Sequence, residues 1–108
     1  MKVGAFRPGI ILVTAPNTAT AENIARSLIE QRLAACVSML PITSVYRWQG
    51  NVNLDSEVQL LIKANIENFT TISEHIRSMH PYEVPEIVSL SIEDSLGSYL
   101  KWMRESCE

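Results

Sequence analysis

The apolar positions of this 108-residue chain change period several times, and each change marks an element. Ile10-Ile11-Leu12-Val13-Thr14 is β-branched-rich and does not alternate, the pattern of a strand covered on both faces. Pro16-Asn17 breaks it, and the Asn17 side-chain oxygen is placed to accept a free N–H from a helical first turn. Ala21, Ile24, Ala25, Leu28 and Ile29 then recur at helical spacing with polar residues between them, which predicts an amphipathic helix. From Cys36 the pattern becomes extended. Residues 36–40 and 42–49 read as one strand broken at Pro41 by a bulge or an edge bend. Gly50-Asn51 supplies a turn, and residues 52–64 return with 58–62 as their apolar centre, so the two segments form a long hairpin. Phe69, Ile72, Ile76 and Met79 make the stripe of a second helix, which stops at His80 because Pro81 disfavours helical geometry in the residue before it. Residues 85–92 read as a last strand, and Leu96, Tyr99, Leu100 and Met103 as a short closing helix.

The order β-α-β-β-α-β plus a C-terminal helix predicts an α+β, ferredoxin-like sandwich, an antiparallel sheet with its two main helices on one face. Residues 1–8 read as a loose lead-in. No repeat or linker interrupts the chain, so residues 1–108 form a single domain with its core at about 9–106. A chain of this size buries roughly two thirds of its unfolded surface. With 46% hydrophobic and 19% charged residues it is not a disordered chain. The charged share lies below the roughly one quarter usual in soluble domains, as expected if a partner covers part of the surface. A formal charge of -3 argues against nucleic-acid or anionic-membrane partners. Cys36, inside Leu-Ala-Ala-Cys-Val, reads as a core thiol and Cys107 as a frayed terminal one, with no C-x-x-C pair for zinc or redox work. The longest strongly apolar run, residues 10–13, is too short for a membrane span or a signal segment, which makes the cytoplasm the expected compartment.

A fold of this kind hosts unrelated functions, so motifs decide. Residues 57–64 carry no aromatic on which an RNA base could stack. Soft-metal chaperones need the missing C-x-x-C loop. Arg47-Trp48-Gln49-Gly50-Asn51-Val52 only faintly echoes the acylphosphatase phosphate loop and lacks its Phe-Arg. There is no nucleophile elbow, no H-E-x-x-H and no Gly-rich phosphate loop, and the chain reads as a non-enzyme. What remains is a set of polar and aromatic residues at strand ends. Tyr46 and Trp48, two apart, project from one strand face near the hairpin tip, either as an interface or ligand wall or as an aromatic cluster stiffening the hairpin. Lys63 reads as a strand terminus. His80-Pro81-Tyr82-Glu83-Val84-Pro85-Glu86 is stiffened by its prolines. Its His80 is read either as a hydrogen-bonded structural ring beside Tyr82 or as a ligand for a borderline metal, with Glu83, Glu86, Asp55 and Glu57 as oxygen donors. His75, off the His80 face, is expected in solvent.

Thr14-Ala15-Pro16, residues 32–37, 43–50 and 56–58, Ile62-Lys63, the 80–86 segment and residues 99–102 together resemble the CutA family of divalent-cation tolerance proteins. The resemblance runs in order from about Ile10 to Glu105. It implies a tight, PII-like homotrimer in which long hairpins add strands across subunits, which would remove an exposed edge. It further implies an intersubunit cleft around Tyr46, Trp48, Lys63, His80 and Tyr82 with Glu57 nearby, His80 and Glu57 being the metal-facing residues. Some bacterial relatives carry a cysteine at the position of Val13 and a second histidine at that of Met79, both associated with copper. This chain keeps only His80 of the three, so the resemblance points to weaker, less selective binding of copper, zinc or similar ions, with no obligatory cofactor. Further departures are Ala64, Ser95 and a connection near Pro41 that is one residue shorter than in many members. The second function consistent with the residues is a PII-like signalling or scaffold trimer that holds a small organic anion against Lys63, Tyr46 and Trp48.

Overall fold

The computed structural model describes residues 5–108. Its elements run β1 (Pro8–Ala15), α1 (Thr18–Glu30), β2 (Cys36–Trp48), β3 (Asn51–Asn65), a 3-10 turn (Ile66–Asn68), α2 (Phe69–Met79), β4 (Ile87–Ser91) and α3 (Gly97–Ser106). The strands form one sheet in the order β2-β3-β1-β4, every pairing antiparallel. Thus β3 lies between β1 and β2, and β1 between β3 and β4. Two split β-α-β units interlock, the expected α+β connectivity with α3 appended.

Local chemistry explains most boundaries. The Thr20 amide donates to Asn17 Oδ1 at 2.8 Å, so the cap of α1 is the one its sequence predicts. Helix α2 ends at Met79, and His80 is extended at φ -88, ψ 133, as the following proline requires. The lead-in is shorter than expected, since β1 begins at Pro8; residues 1–4 lie outside the described residues. Strand β4 is also shorter than the expected 85–92.

Two expectations about the hairpin need correction. Pairing runs unbroken from Cys36↔Lys63 to Trp48↔Asn51, with Leu40↔Gln59, Pro41↔Val58 and Ile42↔Glu57 in step, so Pro41 makes no bulge. It is tolerated because β2 is an edge strand, where an outward-facing N–H has no ladder partner to lose. The turn is Gln49-Gly50, not Gly50-Asn51. Both residues have positive φ, 51 and 81, as a two-residue turn matched to strand twist demands. Glycine supplies one at no steric cost; Gln49 adopts the other because the ladder on either side fixes the register.

The core fills one face of the sheet only. Ile11, Val13 and Ala15 of β1 with Leu60, Ile62 and Ala64 of β3 meet Ala21, Ile24, Ala25 and Leu28 of α1 and Ile72 and Ile76 of α2. His75 is not in solvent as expected: half-buried, its Nε2 lies 2.7 Å from Ser27 Oγ and joins the two helices. Helix α3 touches β1 and β3 and buries Met103 outside that core. It is tethered by Arg32, which sits at φ 59 and donates to the carbonyls of Glu105, at 3.1 Å, and Glu108.

Away from α3, the other sheet face is uncovered in a single copy. Ile10, Leu12 and Leu61 on it are only half-buried, and Leu40, Val88 and Leu90 are exposed. Beyond the helices the hairpin projects as a free ribbon with Val45, Val52 and Leu54 at least 65% exposed. This extension lifts the radius of gyration to 14.6 Å, above the roughly 13 Å of a compact chain of this length. The unalternating run in β1 called for cover on both faces, and one copy supplies it on one.

Candidate functional site

Pro81 ends α2 at the rim of the sheet, and the ring of His80 turns inward there. Its Nε2 lies 2.8 Å from the Thr14 carbonyl and its Nδ1 3.1 Å from the Tyr82 amide. The carbonyl can only accept and the amide can only donate, which assigns the neutral tautomer with hydrogen on Nε2. Both ring nitrogens are thereby used, and the buried imidazole fixes the direction of the loop that follows. Tyr82 packs against it, ring centroids 4.8 Å apart and tilted by 49°.

So held, the Tyr82 hydroxyl donates to Glu57 Oε2. Glu57 stands on β3 and is 7% exposed. Two residues away on the same strand face, Asp55 accepts from the Tyr46 hydroxyl, which reaches it diagonally across the hairpin. Each carboxylate therefore has a phenol donor. Burial first, and then the hydrogen bond to Glu57, push the Tyr82 phenol well above its ordinary value of 10.0. The bond to Asp55 raises Tyr46, with lesser contributions from burial and from both carboxylates. Both phenols stay protonated at neutral pH and act as donors only to these acids. Further along, Gln59 Nε2 donates to the Val13 carbonyl at 2.9 Å and to Glu86 Oε2 at 3.4 Å, which ties the far end of the loop to the sheet.

His80, Tyr82, Glu57 and Tyr46 thus come together with Asp55. Trp48 lies beyond them toward the tip, 41% exposed; of the two readings of the Tyr46–Trp48 pair, the aromatic cluster is not seen among the described residues, and Tyr46 bonds to Asp55 instead. Lys63 is elsewhere. It sits inside β3, not at its terminus, six residues from Glu57 and so roughly 20 Å up the strand. Its Nζ donates to Ser38 Oγ at 2.6 Å and lies 4.0 Å from Cys36 Sγ. Glu83 is exposed, and Val13 is fully buried in the core against which Met79 packs.

Asp55, Glu57 and Gln59 alternate along β3 and therefore share one strand face. The Thr14 carbonyl and Ser38 were not singled out, since only the strand register brings them to His80 and Lys63. As a metal ligand His80 fits poorly, because ligation at either nitrogen would break a backbone hydrogen bond. Among the described residues no three His, Cys, Asp or Glu side chains are gathered into a cage. The oxygen pair Asp55 and Glu57 suits a hard or borderline cation held weakly. A shallow open groove between α1 and β2, lined by Ala25, Arg26, Ile29, Glu30 and Val37, shares no residue with this cluster.

A family profile described as CutA1 divalent ion tolerance protein matches residues 9–106. The chain is 46% identical over 98 residues to the Divalent-cation tolerance protein CutA of Thermus thermophilus, covering 90% of this chain and 95% of that protein. It is 44% identical over 107 residues to Protein CutA of Homo sapiens, covering 95% of this chain but 60% of the human protein. A solved structure of the Thermus thermophilus protein superposes with a TM-score of 0.90 at 44% identity, covering 94% of this chain and 99% of that one. One from Archaeoglobus fulgidus, described as a periplasmic divalent cation tolerance protein CutA, gives 0.92 at 36% identity, covering 94% and 99%. With a profile match over residues 9–106 and 46% identity to a relative covered almost end to end, this chain belongs to the CutA1 divalent ion tolerance family.

Proposed function

We propose that the chain serves divalent-cation tolerance as a homotrimer that binds metal ions and catalyses nothing. The observation that carries this reading is the uncovered apolar sheet face, at one end of which stand the carboxylates of Asp55 and Glu57. Further copies of the chain would cover the Leu12, Leu61, Val88 and Leu90 surface and close off the long β2 edge. The carboxylates would then line the junction between copies. Glu57 is the leading ligand, and His80 acts through Tyr82 as a positioning residue. Oxygen donors make the site unselective, open to copper, zinc and similar ions. Val13 and Met79 offer neither thiolate nor imidazole, so a tight copper site is not expected. Both cysteines are free thiols, which suits a reducing cytoplasm.

Calorimetric titration with Zn2+ or Cu2+ tests the site, at a protein concentration where light scattering shows the assembly intact. Glu57→Gln is expected to weaken binding at least tenfold. Affinity equal to the parent chain would remove Glu57 from the site.

A second reading, a PII-like trimer holding a small organic anion, is favoured by one observation. Among the described residues the one ion pair is Arg7–Glu67, at 3.8 Å, which leaves the Lys63 ammonium without a carboxylate. Thermal-shift screening of organic anions with chelator present separates the two readings. Stabilisation by an anion and not by metal favours the second.

A further inference from the structure

A thiol, an amine and a hydroxyl meet where the hairpin leaves the sheet, six residues up β3 from Glu57. Cys36, the first residue of β2, stands directly opposite Lys63, and Ser38 follows on the same face of β2. Lys63 Nζ lies between them, 2.6 Å from Ser38 Oγ and 4.0 Å from Cys36 Sγ. Cys36 is a free thiol, and both it and Lys63 are half-buried, so the contact is sheltered yet still reached by a small solute. Among the described residues this is the one amine in hydrogen-bond reach of a thiol. The other cysteine is set differently. Burial pushes the Cys107 thiol up, which lowers its share of reactive thiolate at neutral pH.

We propose that Cys36 and Lys63 form a reversible oxidation site, at which hydrogen peroxide converts the thiol–amine contact into a covalent sulfur–nitrogen bridge. The Cys36 thiolate attacks one peroxide oxygen. An S–O bond forms, the O–O bond breaks, and the other oxygen leaves as hydroxide and takes up a proton to become water. Sulfur is oxidised by two electrons and the peroxide is reduced. The unprotonated Nζ then attacks the sulfur of this sulfenic acid. An S–N bond forms and the S–O bond breaks, its hydroxyl leaving as a second water with one proton from the nitrogen. A lysine amine is mostly protonated at neutral pH, but holding it in contact with the sulfur raises its effective concentration by orders of magnitude. The flexible lysine stem lets Nζ close the remaining gap while the paired strands stay in place. Without a neighbour to capture it, a sulfenic acid runs on to sulfinic acid, which thiols do not reverse; the bridge diverts it to a product that they do. Bridging removes the Lys63 charge and pins the start of β2 to β3. Neither metal binding nor assembly is required for this chemistry.

Mass spectrometry of the full chain treated with hydrogen peroxide tests it, in the Cys107→Ser variant so that no disulfide can form within one copy. The expected product is two hydrogen atoms lighter. Its tryptic peptides containing Cys36 and Lys63 are joined, cleavage after Lys63 is lost, and dithiothreitol restores the starting mass. Lys63→Arg in the same background keeps the positive charge but supplies no nucleophile. Its Cys36 is expected to run on to sulfinic acid, two oxygen atoms heavier. Circular dichroism before treatment shows whether each variant is folded, and the joined peptides are read in the chain that retains Lys63 whatever the arginine variant does. Oxygen gained at Cys36 while Lys63 still reacts with an amine reagent overturns the bridge. So does a Cys36–Cys36 disulfide of twice the chain mass, a lighter product formed equally by Lys63→Arg, or a Cys36 that peroxide leaves unchanged.

Discussion

Glutamate in place of Leu40 or Leu90 is expected to take the assembly apart while the single copy stays folded. In one copy these side chains are 44% and 52% exposed, so a charge there meets water and costs the monomer little. Both lie on the face opposite the helices, Leu40 beside Gln59 and Leu90 beside Ile10. Once copies cover that face, a carboxylate there has no partner, and the penalty is several kcal/mol per site. Every 1.4 kcal/mol is about a tenfold loss, so association should fall at least a hundredfold. Asn23→Glu, on the exposed side of α1, is the control and should leave association unchanged. Sedimentation of the three variants beside the parent gives the answer. A Leu40→Glu or Leu90→Glu chain that assembles as the parent does would show that this face is not the contact.

The second large effect belongs to the single copy. Gly9 pairs with Ala64 and Ser91, where β1 passes under the start of the 3-10 turn. A Cβ built there would collide with Ile66 Cγ2 and lie 2.8 Å from both Ile66 Cδ1 and the Leu90 backbone oxygen. The isoleucine tip can shift, but the Leu90 carbonyl belongs to the paired β4 strand. Gly9→Ala is expected to cost about 1–3 kcal/mol, the range for overpacking, and Gly9→Val more. At fixed protein concentration the alanine variant should melt roughly 10 °C below the parent, on the basis that 1 kcal/mol is worth about 4–8 °C in a domain of this size. Melting within a degree or two of the parent would mean that the strand yields at this point.

How much of this was legible beforehand depended on distance along the chain. The Asn17 cap, the stop at His80-Pro81 and the apolar stripes of α1 and α2 are local, and each carries its own cause. So does the face shared by Asp55 and Glu57, through simple alternation. Pairings that depend on register were not legible. Lys63 meets Ser38 only because Cys36 aligns with Lys63, and His75 reaches Ser27 only because α1 and α2 lie side by side. The turn is the instructive miss. Gly50 and Asn51 are both common in turns, yet the ladder closes at Trp48↔Asn51 and forces Gln49 to positive φ. His80 shows the same division. Its place beside Tyr82 was readable from the motif, but the Thr14 carbonyl that occupies its Nε2 comes from a strand 66 residues away.

The central claim is that the bare sheet face and the projecting ribbon are contact surfaces between copies of this chain. Sedimentation equilibrium of the unmodified chain at micromolar concentration tests it most directly. The account predicts one species of three times the 12.1 kDa chain mass, persisting on dilution. A stable monomer of 12.1 kDa that stays in solution with its apolar face uncovered would contradict it.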